Sequence, residues 1–219
     1  MSTSVPERPL LRGWSHAVAI GPAAIAATLL VVFGPRDAGV RAALALYGTA
    51  MILVFTVSAL YHRGPWSPRG RAVWRRLDHS TIFLMIAATY TAAGVIILDG
   101  VARIAILTAV WVAALAGITL SLLPVRVPRG VTVLLYLCTG WIAIVALPVF
   151  VQRLSDAALL LLLAGALLYS LGALAYAFQR PRLWPRVFGY HEVFHLLVIA
   201  ATASFFAFVA LVAAPHTRP

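Results

Sequence analysis

His191 and His195 stand four residues apart in an apolar stretch, and Ser58 and His62 repeat that spacing in an earlier one. On an α-helix the i, i+4 relation sets both side chains on one face. One helix thereby offers two imidazole nitrogens to a single metal ion. A single helix cannot complete a tetrahedral shell, so a third ligand must come from another element. His62 is expected at the same depth in the membrane. Three histidines with a fourth position open form the arrangement of a catalytic zinc (Zn2+) site. The plainer alternative is a set of histidines that cap helix ends and reach toward the membrane interface.

Asp78 is the carboxylate expected to converge with them. It reads either as an acidic residue opening the third helix, where the dipole favours it, or as a group that orients or deprotonates water at the metal. Helical spacing extends its face through Thr81, Met85 and Thr89, a partly polar stripe suited to a bundle interior. His79 projects about 100° away on the same helix and reads as a packing or interface residue. His191-Glu192-Val193-Phe194-His195 also matches H-E-x-x-H, the zincin pattern in which Glu192 would be the general base. After His195 the chain has no Asp, Glu or Cys, and only His216 in the tail, so a peptidase would lack its usual third ligand. Glu192 therefore stays open between base, support of a ligand and interface charge. His16, beside Trp14 and Ser15, borders the site or, by the preferred reading, lies at the interface.

These residues need helices that cross a bilayer, and the composition provides them. Of 219 residues, 63% are hydrophobic and only 11% are charged; the mean hydropathy is +0.97. A spanning helix takes roughly 20 apolar residues and satisfies its own backbone hydrogen bonds. The apolar runs predict an all-α integral membrane protein, a seven-transmembrane helix bundle. Its helices are expected at about 14–33, 41–62, 78–98, 102–123, 131–150, 156–178 and 188–213. Six spans would require one of these runs to be re-entrant. Connectors carry Gly34-Pro35, Asp99-Gly100, Pro124 with Pro128 and Gly130, and Pro181 with Pro185; only 63–77 is expected to be a long loop. The organisation predicted is a tail at 1–13, one membrane domain at 14–213 and a tail at 214–219. The stretch from Ala17 to Phe33 is too long for a secretory signal core, so a retained first helix is expected.

All 17 basic residues are arginine. Twelve fall on one side of the predicted spans and five on the other. Positive-inside logic then puts the N-terminus in the cytoplasm and the C-terminus on the extracytoplasmic side, with the polar cluster facing the cytoplasm. A net charge of +11 suggests nucleic acid at first sight. Because the arginines sit in short loops between apolar spans, anionic lipid headgroups are the expected partners and nucleic acid is not. Trp66, Trp74 and Trp184 fit an aromatic belt. Cys138 is the only cysteine, which excludes an intramolecular disulfide, and it reads as a buried apolar residue.

Six segments together resemble the hemolysin III family, the bacterial branch of the progestin and adipoQ receptors. They are Leu11-Arg12-Gly13-Trp14-Ser15-His16, Ser58-Ala59-Leu60-Tyr61-His62, Leu77-Asp78-His79-Ser80-Thr81-Ile82-Phe83, Ala88-Thr89-Tyr90-Thr91, Gly140-Trp141, and Gly189-Tyr190-His191-Glu192-Val193-Phe194-His195. The resemblance implies seven helices with a cytoplasmic N-terminus in the cell membrane. It further implies zinc held by His62, His191 and His195, with Asp78 acting through water and Ser58 nearby. The same superfamily includes alkaline ceramidases, so the implied chemistry is hydrolysis of a membrane-lipid amide. The chain lacks the soluble N-terminal extension of the eukaryotic receptors, so hormone reception is not expected. Two other functions stay open: membrane-lipid or fluidity homeostasis with a structural zinc, and the pore-forming cytolysis of the family's name.

Overall fold

The computed structural model describes residues 9–184 and 186–214. Residues 1–8, Pro185 and 215–219, and with them most of both predicted tails and His216, lie outside the described residues. The helices run in the order α1 (Trp14–Phe33), α2 (Ala38–Arg63), α3 (Pro68–Ile97), α4 (Gly100–Leu122), α5 (Arg129–Gly140), a 3-10 segment (Ile142–Ala146), α6 (Leu147–Arg153), α7 (Asp156–Phe178) and α8 (Tyr190–Ala213). Taken with α5 and α6 as one span (Arg129–Arg153), seven helical segments are long and apolar enough to cross a membrane.

Neighbours in sequence pack as neighbours in space, α1 on α2, α2 on α3, α3 on α4 and α7 on α8, while α8 closes back onto α1 and α3. Small residues set the close approaches, as is usual where lipid removes the hydrophobic drive between helices. A Cβ on Gly48 would meet Ala27 at 2.7 Å, and one on Gly165 would meet the Phe205 ring at 2.7 Å. The result places α2, α3 and α8 innermost. Their apolar windows are 56%, 50% and 39% buried, against 17–22% for the other spans. These three helices carry Ser58, His62, Asp78, His191 and His195.

Two elements differ from the sequence expectation. The expected loop 63–77 is mostly helix, because Ser67 accepts a hydrogen bond from Gly70 N at 3.2 Å and Pro68 occupies the first turn. Ser followed by Pro is a strong helix start, since the Pro ring presets φ and its missing N–H is not needed there. Asp78 therefore sits three turns inside α3 rather than opening it, and the dipole reading of this residue falls away.

The expected continuous helix 131–150 is broken after Gly140. Pro148, in the first turn of α6, has no N–H for the Ile144 carbonyl, which a continuous helix would leave crowded by its ring. Here Ile144 O accepts from Leu147 N instead, and the break leaves Gly140 O and Ala143 N to be paired. Within a bilayer the freed polar groups must find other partners. Tyr90 supplies them: its hydroxyl donates to Gly140 O at 2.8 Å and accepts from Ala143 N at 2.6 Å. The Trp141 indole N–H donates to Ser170 Oγ at 3.0 Å, fixing the break against α7. At the end of this span Arg153 bonds Asp99 and Ile97 O, and Arg103 bonds Asp99 from the other side. Both arginines, Arg153 first, hold the exposed Asp99 carboxyl below the usual carboxylate range.

Candidate metal site

The site assembles where the chain enters α1 and α8. Residues 10 and 11 lie along the segment before α8, with Leu10 N donating to Arg186 O at 3.0 Å and Leu11 N to Val187 O at 3.2 Å. Glu192, in the first turn of α8, accepts from Gly189 N at 2.7 Å and caps its own helix. Its other oxygen accepts from Arg12 Nε at 2.5 Å, forming an ion pair in which Glu192 is only 2% exposed. Breaking such a buried pair from one side is costly, because the remaining charge is left without a partner. Both Glu192 oxygens are thus engaged away from the histidines, and the arrangement gives no support to a zincin base.

Next to Arg12, Gly13 adopts φ +79°, a left-handed conformation that favours glycine. A side chain there would also collide with His62. Trp14 then lies under the Arg63 guanidinium, 3.5 Å from ring centroid to Cζ. One turn into α1, His16 stacks on His195 with centroids 3.9 Å apart and planes 12° apart. His16 is 3% exposed, so the interface reading of this residue is corrected: it is part of the buried layer directly behind His195.

His62, at the last turn of α2, faces His191 and His195 on one side of α8. His62 Nε2 and His191 Nε2 are 3.0 Å apart. One ring nitrogen from each of the three histidines lies within 4.8 Å of the others. Two zinc–nitrogen bonds of about 2.05 Å at a tetrahedral angle place the nitrogens about 3.3 Å apart, so one pair is already near that spacing. His195 Nδ1 is buried with no hydrogen-bond partner among the described residues. An orphaned imidazole nitrogen in a cluster of three histidines suits a metal ion, and the residues fit one.

Asp78 is not one of the three converging donors; its side chain neighbours that of Ser58, one turn before His62 on α2. The structure therefore brings together His62, His191 and His195, and separately sets Asp78 next to Ser58. His79 is placed elsewhere: it lines a small cavity with Arg75, Arg76 and Ser121, and its carbonyl accepts from the Tyr136 hydroxyl at 3.1 Å. Sequence reasoning did not single out Arg12, Tyr176 or Arg129 as site residues. Tyr176 meets the His191 ring edge-on at 5.7 Å, and Arg129 lies over Tyr176 at 5.1 Å. An aromatic and a cation on two different helices give no spacing signal that would have revealed this.

Comparison with known proteins agrees with this architecture. A family model described as haemolysin-III related matches residues 5–206. Hemolysin-3 of Bacillus cereus is 32% identical over 180 residues, covering 81% of this chain and 79% of that protein. A hemolysin-3 homolog of Bacillus subtilis (strain 168) is 30% identical over 161 residues, covering 74% and 72%.

Proposed function

Because the chain belongs to the haemolysin III-related family and is a multi-pass protein of the cell membrane, we propose that its three histidines hold zinc and that the site hydrolyses an amide bond of a membrane lipid. The observation that carries this reading is the convergence of His62, His191 and His195 nitrogens within 4.8 Å at one end of the three innermost helices. Intramembrane ionisable groups are expensive, and a cluster of them is by default functional.

In this reading His62, His191 and His195 are the ligands. Zinc bound there would supply Lewis acidity, polarising the amide carbonyl and acidifying a water molecule. Asp78 collects the proton from the attacking water and returns it to the departing amine, which is general base and then general acid catalysis. Ser58, whose side chain neighbours the Asp78 carboxyl, is in this reading the group that orients it. The layer of His16 behind His195 keeps that ring from turning away. The site opens to the cytoplasmic side if the arginine distribution sets topology as expected.

The test is release of fatty acid from a ceramide-like amide by detergent-purified protein, followed by mass spectrometry. Chelation should stop release and added zinc should restore it; release that persists without metal sinks the reading. The relatives carry the name hemolysin, which supports a second reading, lysis of membranes. Leakage of dye-loaded liposomes containing the protein would favour it, and intact liposomes would count against it.

A further inference from the structure

Beside the histidines lies a cavity of about 180 Å³. A single water needs only about 10–15 Å³ of such space, so a polyatomic ligand fits. Its walls carry three guanidinium groups, Arg12, Arg71 and Arg129, with Tyr176 and the edges of His62 and His191. No carboxylate lines it among the described residues. Arg12 already pairs with Glu192, which also accepts from Gly189 N, so Arg71 and Arg129 are the two lining guanidinium groups that this ion pair does not use.

The placement of these arginines is also unusual for their helices. Arg129 is the first residue of α5, and Arg71 lies in the opening turns of α3. The helix dipole disfavours a cation at both positions. Each helix gives up some stability by holding positive charge at its positive end, and an anion between them would reverse that cost. Guanidinium forks match the oxygens of phosphate and bind them through paired, charge-assisted hydrogen bonds.

We propose that the cavity of Arg12, Arg71 and Arg129 binds a terminal phosphate group, supplied either by a lipid headgroup or by free inorganic phosphate. This goes beyond the hydrolase reading and does not depend on it, since the arginines rather than the metal hold the anion.

The experiment uses the full-length protein in detergent, with metal content measured on the same sample. Inorganic phosphate, dihexanoyl phosphatidic acid and dihexanoyl phosphatidylcholine are each titrated by calorimetry at constant ionic strength. The expected result is saturable binding of inorganic phosphate or phosphatidic acid, weakened at least about tenfold by Arg71→Gln with Arg129→Gln, the loss of two charge-assisted contacts. Arg36→Gln with Arg41→Gln, at the other end of the bundle, should bind as the parent does. Tighter binding of phosphatidic acid than of inorganic phosphate assigns a lipid headgroup; equal binding assigns free phosphate. The proposal is overturned if neither ligand binds, if the double variant binds unchanged, or if chelation alone abolishes binding, which would assign the anion to the metal. Should the double variant fail to fold, Arg129→Gln alone, at an exposed position, must still weaken binding. Turnover is not read, so a failed hydrolase reading leaves this result intact.

Discussion

Gly13 packs directly on His62: a Cβ built on the glycine would sit 2.7 Å from the histidine Cβ. The contact joins the entrance of α1 to the last turn of α2, and it ties backbone conformation to the position of His62. Gly13→Ala must pay for a left-handed conformation and for displacing His62, together about 2–4 kcal/mol. The variant should melt lower than the parent and retain less metal. A melting temperature and metal content equal to the parent's would show that the approach is not constraining.

Metal content separates ligands from bystanders. About one metal ion per chain is expected in the purified protein, lost in His62→Ala and in His191→Ala. His79→Ala should keep it, because His79 lines a different cavity. Inductively coupled plasma mass spectrometry reads all four proteins, and metal retained in both His62→Ala and His191→Ala would end the three-histidine assignment. The two ligand variants should also melt lower, since metal binding stabilises only the folded state.

Asp78→Asn preserves the side chain's shape beside Ser58 but cannot act as a base. Lipid-amide release should fall by about 100-fold or more while bound metal stays unchanged, the range for losing a general base. Ser58→Ala should cost less, because it removes only orientation. Full activity in Asp78→Asn would remove Asp78 from the chemistry.

Much of this arrangement is legible in the sequence, and what is hidden has a common cause. Hydropathy marks seven spans, and the i, i+4 spacing of His191 and His195 is local, so both emerge from periodicity. The start of α3 is obscured because Arg69, Arg71, Arg75 and Arg76 dilute the apolar signal, leaving only Ser67-Pro68 to announce the helix. Arg12 and Glu192 are 180 residues apart, and His16 meets His195 across a similar span. Contacts of that separation leave no periodic trace. Likewise the break at Gly140 depends on Tyr90, fifty residues earlier.

That break gives a direct stability test. Tyr90→Phe keeps the ring and strips the hydroxyl from Gly140 O and Ala143 N. Two unpaired backbone groups at about 1–3 kcal/mol each should lower the melting temperature clearly. An unshifted transition would mean that other groups satisfy the break.

At the opposite end of the bundle, Asp99 predicts a pH dependence. Its folded-state carboxyl is held below the ordinary range, chiefly by Arg153, so it adds stability above the unfolded-state value of about 3.9 and loses it as pH falls through the folded one. The melting difference between parent and Asp99→Asn should therefore be present at neutral pH and shrink in acid below about pH 4. A difference that grows in acid would contradict the sign.

The stitching of Leu10 and Leu11 to Arg186 and Val187 has a consequence for how the protein is made. Helices reach the bilayer in chain order, so His62 and the anchor segment wait through four further spans before α8 arrives. Until then Arg12 has no Glu192, and His62 has neither of its histidine neighbours. Metal loading, on the proposed reading, would be a proofreading step by geometry: a chain stalled or cut before α8 lacks His191 and His195, and only a fully inserted bundle would bring all three histidines together.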